Sequence, residues 1–145
     1  MPPVHPASRA PLVDTHGRTV RDLRLSVTDR CNLRCFYCMP AEGMPWLQRS
    51  DLLTYEEITR IARVCLECGV TGVRLTGGEP TVREDLVTLV RMLHDLVPDL
   101  DLSLTTNAIK LPKLADALRE AGLKRVNVSL DTLSRERFHR LARRD

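Results

Sequence analysis

Four short apolar runs, each followed by a turn and then by a stretch of helical periodicity, set the fold class of this 145-residue chain. Leu23 to Thr28 places apolar residues at the alternate positions Leu23, Leu25 and Val27, the pattern of a strand with one buried face. Thr54 with Glu57 forms a capping box, and Ile58, Ile61, Ala62, Cys65 and Leu66 then recur at helical spacing until Gly69. Val70 to Leu75 reads as the second strand, and Leu86, Leu89, Val90, Leu93 and Val97 mark a second helix closed by Pro98. Leu100 to Leu104 is the third strand, after which Leu114, Ala115 and Leu118 line a helix that begins near Pro112 and ends at Gly122. Arg125 to Ser129 is the fourth strand, and Asp131 or Ser134 can cap a last helix through Phe138 and Leu141. Alternation of this kind predicts a parallel sheet with right-handed crossovers. The expected fold is therefore α/β, a partial (βα) barrel of about four βα units that stays incomplete, over residues 19–145. Residues 1–18, Pro-rich and polar, are expected to be a flexible tail.

Active sites of α/β barrels lie at the carboxyl ends of the strands. Those ends here carry a cysteine loop, Gly77-Gly78-Glu79-Pro80, Thr105-Thr106-Asn107 and Ser129-Leu130-Asp131, in that order. The loop is the most specific of them, because Cys31, Cys35 and Cys38 stand in a C-x-x-x-C-x-x-C arrangement that no packing need explains. A cluster iron takes one thiolate, so three thiolates can hold three corners of a 4Fe-4S centre and leave one iron open. A structural zinc site uses four ligands, usually as two separated pairs, and suits this spacing less well. The odd total of five cysteines also argues against a disulfide framework and for a reducing compartment.

Composition narrows the partners. The 22 basic and 19 acidic residues are interspersed and aromatics make up only 3%, so a nucleic-acid partner is not expected. No run approaches the ~20 apolar residues of a membrane span. Residues 1–20 lack an apolar signal core. A cytoplasmic protein without a membrane partner is the expectation.

The cysteine loop with Tyr37 before its last cysteine, followed by Gly-Gly-Glu-Pro after the second strand, resembles the radical S-adenosylmethionine (SAM) superfamily. The longer stretches LRLSVTDRCNLRCFYCMP, VRLTGGEPTVREDL, LTTNA and VNVSLDTL resemble, within it, the GTP 3′,8-cyclase family that opens molybdenum cofactor biosynthesis. The resemblance runs from about Thr19 to the last residue, making 19–145 the N-terminal part of a radical SAM core domain. It implies that Cys31, Cys35 and Cys38 hold a 4Fe-4S cluster whose open iron chelates SAM, with Tyr37, Gly77, Gly78 and Ser129 as further SAM contacts. The glycines lack side chains, so their backbone is expected to approach the cofactor closely. Arg24, Arg74 and Thr105 match positions that touch GTP in the family, and guanidinium groups suit a triphosphate. The implied reaction is a lyase-type cyclisation: a 5′-deoxyadenosyl radical takes hydrogen from carbon 3′ of GTP, and the ribose radical attacks carbon 8 of guanine.

Family members also carry a second three-cysteine 4Fe-4S cluster, the remaining barrel strands and a further lysine, none of which this sequence contains up to Asp145. The chain alone is therefore expected to hold the first cluster but to turn over little GTP. An electron donor such as flavodoxin or ferredoxin is implied, and a homodimer is one assembly open to it. Ala108 replaces the glycine that usually follows T-T-N, a departure expected to alter the turn and little else.

Two other functions share some of these features. A small radical SAM activating enzyme would need the cysteine loop and the glycine turn but not Arg24, Arg74 and Thr105; a non-catalytic module could hold zinc through Cys31, Cys35, Cys38 and Cys65. Cys65 and Cys68 otherwise read as core residues of the first helix. His5, His16, His94 and His139 read as surface histidines, and Asp95, Asp99 and Asp101 as solvated loop residues; Arg30 and Arg34 carry no assigned role.

Overall fold

The computed structural model describes residues 4–144. Strands β1 (Asp22–Ser26), β2 (Gly72–Thr76), β3 (Asp101–Thr106) and β4 (Arg125–Val128) form one parallel sheet in the order β1-β2-β3-β4. The helices α1 (Tyr55–Glu67), α2 (Leu86–His94), α3 (Leu111–Glu120) and α4 (Arg135–Ala142) follow the strands in turn. Each strand pairs with its neighbour in sequence, and among the described residues β1 and β4 remain the two edges of an open arc. This is the expected incomplete (βα) barrel.

One face of the sheet is apolar and packs against the helices. Leu75, Leu102 and Leu104 meet Ile58, Ala62 and Leu66 of α1, Leu89 and Leu93 of α2 and Leu118 of α3 in a single buried cluster. Each large aliphatic chain removed from water contributes roughly 1.5–3 kcal/mol, enough to fix which face turns inward. The alternate residues Asp22, Arg24, Arg74, Ser103 and Arg125 therefore fall on the opposite, concave face.

Caps follow the chemistry read from the sequence. The Thr54 side chain accepts from Glu57 N while the Glu57 carboxylate accepts from Thr54 N. Pro112 lies in the first turn of α3, and Ser134 caps α4 by accepting from Arg137 N. Asp131, the other candidate, is engaged elsewhere. Some boundaries move. β2 begins at Gly72 because Thr71 N and Gly72 N both turn to Arg21 O, and α2 ends at His94, well short of Pro98, leaving Leu96 rather than Val97 fully buried. Ala115 of α3 is exposed, so Leu111, Leu114 and Leu118 carry that helix's inner face. The N-terminal segment, expected as a flexible tail, lies against the domain: Val4 is buried, its N–H donates to Leu96 O, and Ala7 N and Arg9 N donate to Leu66 O and Glu67 O.

Candidate functional site

The cysteine loop leaves β1 alongside the glycine turn that leaves β2, and the two stay hydrogen-bonded beyond the sheet. Val27 N donates to Thr76 O (2.9 Å), Gly78 N to Thr28 O (2.7 Å) and Glu79 N to Arg30 O (2.8 Å). A Cβ on Gly77 would lie under 3.0 Å from Thr28 O, and one on Gly78 as close to the carbonyls of Asp29 and Arg30. Gly77 also has φ +148°. These positions are glycine because the chain's own cysteine loop fills the space a side chain would take, a different reason from the ligand approach expected from the sequence.

Glu79 is the residue that sequence reasoning missed. It is 1% exposed, and both of its carboxylate oxygens accept hydrogen bonds. Oε1 takes Thr81 N (3.0 Å), Thr81 Oγ1 (2.6 Å) and Thr106 Oγ1 (2.6 Å), while Oε2 takes Asn107 N (2.7 Å). Asn107 in turn donates from Nδ2 to Asn32 Oδ1 (2.8 Å), inside the cysteine loop. One buried carboxylate thus joins the loops that follow β2 and β3, and Asn107 passes the connection to Asn32 beside Cys31. The next residue, Ala108, sits at φ +65°, the left-handed region that glycine occupies without cost.

Further ties come from β4 and α4. Tyr37 Oη donates to Asp131 Oδ2 (2.6 Å), and that bond, followed by burial, pushes the Tyr37 hydroxyl well above its ordinary pKa. Arg34 N donates to Ala142 O (3.0 Å), Phe36 N to Leu141 O (3.1 Å), and the Arg144 guanidinium to Asn32 O. The side chain of Arg34 closes the loop on itself, with Nη1 donating to Cys31 O (2.7 Å) and Leu33 O (2.8 Å) and its guanidinium over the Trp46 ring. Arg34 therefore shapes the loop.

All five cysteines are free thiols. Among the described residues, no three His, Cys, Asp or Glu side chains already stand as a metal-holding group. Within the loop, burial first, then the charges of Cys35 and Cys31, push the Cys38 thiol up. Mutual repulsion of thiolates on one loop is what binding to cationic iron relieves, so the donor set fits an iron–sulfur cluster.

On the concave face, Arg24 and Arg74 are register partners, in the same row as Ser103 and Arg125. With Asp22 and Asp101 they line a cavity of about 190 Å³. Thr105 lies one inward-facing position nearer the strand ends than Ser103, in register with Asn127, and is half-buried. Ser129 is exposed just beyond β4, its N–H donating to Thr106 O (2.9 Å). Asp101 is no loop residue; it opens β3 and accepts Arg125 Nε (2.9 Å) and Nη2 (2.5 Å), a pairing that holds its carboxyl below the usual carboxylate range. His94 is likewise no surface histidine, being half-buried against Gly122 with Nδ1 buried and unpartnered among the described residues. His5, His16 and His139 are exposed, and Cys65 packs partly buried against the core.

The family model described as the Radical SAM superfamily matches residues 25–145. The chain belongs to this superfamily. Membership implies a 4Fe-4S cluster and SAM as cofactors, in accord with the thiol loop. The radical SAM chain is 52% identical over 134 residues to the GTP 3′,8-cyclase of Sulfurovum sp. and 57% identical over 139 residues to that of Acidothermus cellulolyticus. These matches cover 92% and 93% of this chain but 41% and 38% of the relatives, so it spans about two fifths of their length. Molybdenum cofactor biosynthesis protein 1 of Drosophila melanogaster is 52% identical over 136 residues, 93% of this chain and 24% of that protein. Among solved structures, Streptococcus suis SuiB bound to the precursor peptide SuiA superposes with a TM-score of 0.67 at 26% identity, covering 84% of this chain and 27% of SuiB. BtrN in complex with AdoMet and 2-DOIA gives 0.57 at 19% identity, over 86% of this chain and 51% of that one, a likeness of fold alone. No helix among the described residues is long and apolar enough to cross a membrane.

Proposed function

We propose that this chain is the cluster- and nucleotide-binding part of a GTP 3′,8-cyclase acting in the first step of molybdenum cofactor biosynthesis. The observation that carries the reading is the pairing of Arg24 with Arg74 in one row of the concave face, below the thiol loop, in a chain 52% and 57% identical to proteins of that name. Cys31, Cys35 and Cys38 hold the 4Fe-4S cluster, and Tyr37, Gly77, Gly78 and Ser129 border the SAM beside it. Bound there, a reduced cluster with SAM would supply the radical chemistry directed at carbon 3′ of GTP.

The chain's own residues then have to hold GTP so that this carbon faces the strand ends. Arg24 and Arg74 take the phosphates as planar forks that fix direction as well as charge. Thr105 offers a hydroxyl nearer the rim. The Glu79–Asn107–Asn32 bonds keep the end of β3, which carries Thr105, and the thiol loop in fixed relation, which matters because a misplacement of about 1 Å can cost ~100-fold in rate. The same reading brings an external electron donor of flavodoxin or ferredoxin type and a cytoplasmic location, with a homodimer as one assembly open to it.

Anaerobic reconstitution tests it directly. The expected product is a brown protein with about four irons per chain, lost in Cys31→Ala, Cys35→Ala or Cys38→Ala and kept in Cys65→Ala. Reduced protein should show a cluster spectrum shifted by SAM, and GTP should bind with an affinity that falls in Arg24→Ala. Zinc in place of iron, or GTP binding indifferent to Arg24 and Arg74, would overturn the assignment.

A further inference from the structure

Asp101 and Arg125 make a two-bond ion pair on the concave face, yet each side chain is about half exposed, at 45% and 51%. A pair this exposed is screened by solvent, so folding stability alone is an incomplete explanation for placing one here. Position is a better one. Arg125 shares a row with Arg24 and Arg74, and the cavity between them holds three guanidinium groups against the carboxylates of Asp22 and Asp101. Arginine Nε and Nη2 are fixed by Asp101, which sets the plane of the guanidinium, while Nη1 makes no hydrogen bond with a described residue.

We propose that Arg125 is a third anion-recognising guanidinium of this cavity, oriented by Asp101 as a positioning residue, and that the pair sets how many phosphates a bound nucleotide must carry. The inference rests on the reading of Arg24 and Arg74 as nucleotide contacts and extends it. Arg125 opens β4, two residues below Asn127 and four below Ser129, roughly 7 Å from the first and 13 Å from the second at ~3.3 Å per residue. A nucleotide whose sugar is held at the rim reaches that depth only through an extended anionic tail. A monophosphate stops short of it.

Calorimetric titration of the full chain with inorganic tripolyphosphate, GTP, GDP and GMP tests the proposal, using Arg125→Gln, Arg125→Lys, Asp101→Asn and Arg24→Gln. Losing charge-assisted bonds should weaken tripolyphosphate and GTP binding by ~10-fold or more in Arg125→Gln and leave GMP within ~2-fold. Arg125→Lys keeps the cross-strand charge pair, and with it the sheet, but loses the planar fork, so it should show a smaller loss of the same selectivity. Asp101→Asn supplies the sharpest test, because its sign separates two roles. Removing a nearby negative charge should tighten anion binding if Asp101 is a bystander, and weaken it if Asp101 holds Arg125 in place. Tightening in Asp101→Asn, or unchanged tripolyphosphate and GTP binding in Arg125→Gln while Arg24→Gln weakens both, overturns this proposal and leaves the proposed function standing. A wild-type chain that binds neither tripolyphosphate nor any of the guanine nucleotides overturns both.

Discussion

Replacing Glu79 by glutamine changes one atom in a buried group, and the structure says what that atom was holding. Each carboxylate oxygen accepts one backbone N–H, Thr81 on Oε1 and Asn107 on Oε2. An amide has a single acceptor oxygen, so one of these N–H groups must face an NH₂ donor. The hydroxyls of Thr81 and Thr106 can rotate to accept from that NH₂; the backbone N–H groups cannot. An unpaired buried N–H costs about 1–3 kcal/mol, and replacing charge-assisted bonds by neutral ones about 1 kcal/mol more, giving about 2–4 kcal/mol for Glu79→Gln. For a domain of this size that corresponds to a fall of roughly 5–15 °C in Tm. Urea unfolding of the apo protein, comparing midpoints at constant m-value, measures it. Glu79→Ala, which withdraws all four acceptor contacts, should cost more than Glu79→Gln. A loss below ~0.5 kcal/mol in both variants would refute the view that this carboxylate joins the loops, since ordinary surface changes lie within that range.

Other substitutions follow from the same geometry. Gly78→Ala would force a Cβ against the Asp29 and Arg30 carbonyls, costing about 1–3 kcal/mol and lowering the iron content of reconstituted protein by displacing the thiol loop; normal iron content would contradict the close packing. Ala108→Gly should raise stability by about 1 kcal/mol, read as a Tm increase, because φ +65° carries a Cβ penalty that glycine lacks; a decrease would show that the turn does not strain alanine. Cys65→Ala should leave the iron-to-protein ratio unchanged and lower Tm only slightly, as expected for a partly buried thiol on α1; loss of the chromophore would make Cys65 a ligand.

The strands were legible because burial of one face writes itself as alternation, which Leu23, Leu25 and Val27 show plainly. The end of α2 was not, since its turn is made by Asp95 N bonding Arg91 O, and Pro98 follows only after further chain. The thiol loop was equally visible, its spacing being local. What holds the site together is non-local. Glu79 meets Thr106 and Asn107 across 27 and 28 positions, and Asn107 meets Asn32 across 75, distances over which no periodicity speaks. Asp101 looked like a loop acid until β4 supplied Arg125 beside it. Ala108 was noticed as an unusual residue, but only its backbone angle gives the reason it is unusual.

The latch between α4 and the thiol loop has a consequence in time. Arg144 reaches Asn32 across 112 positions, and the carbonyls that receive Arg34 and Phe36 belong to Ala142 and Leu141. During synthesis at ~5–20 residues per second, the thiols emerge roughly 5–20 s before the segment that fastens their backbone. Over that interval the thiol loop waits on α4. Its sulfurs are then chemically available but conformationally loose, open to iron delivery and to oxidation alike.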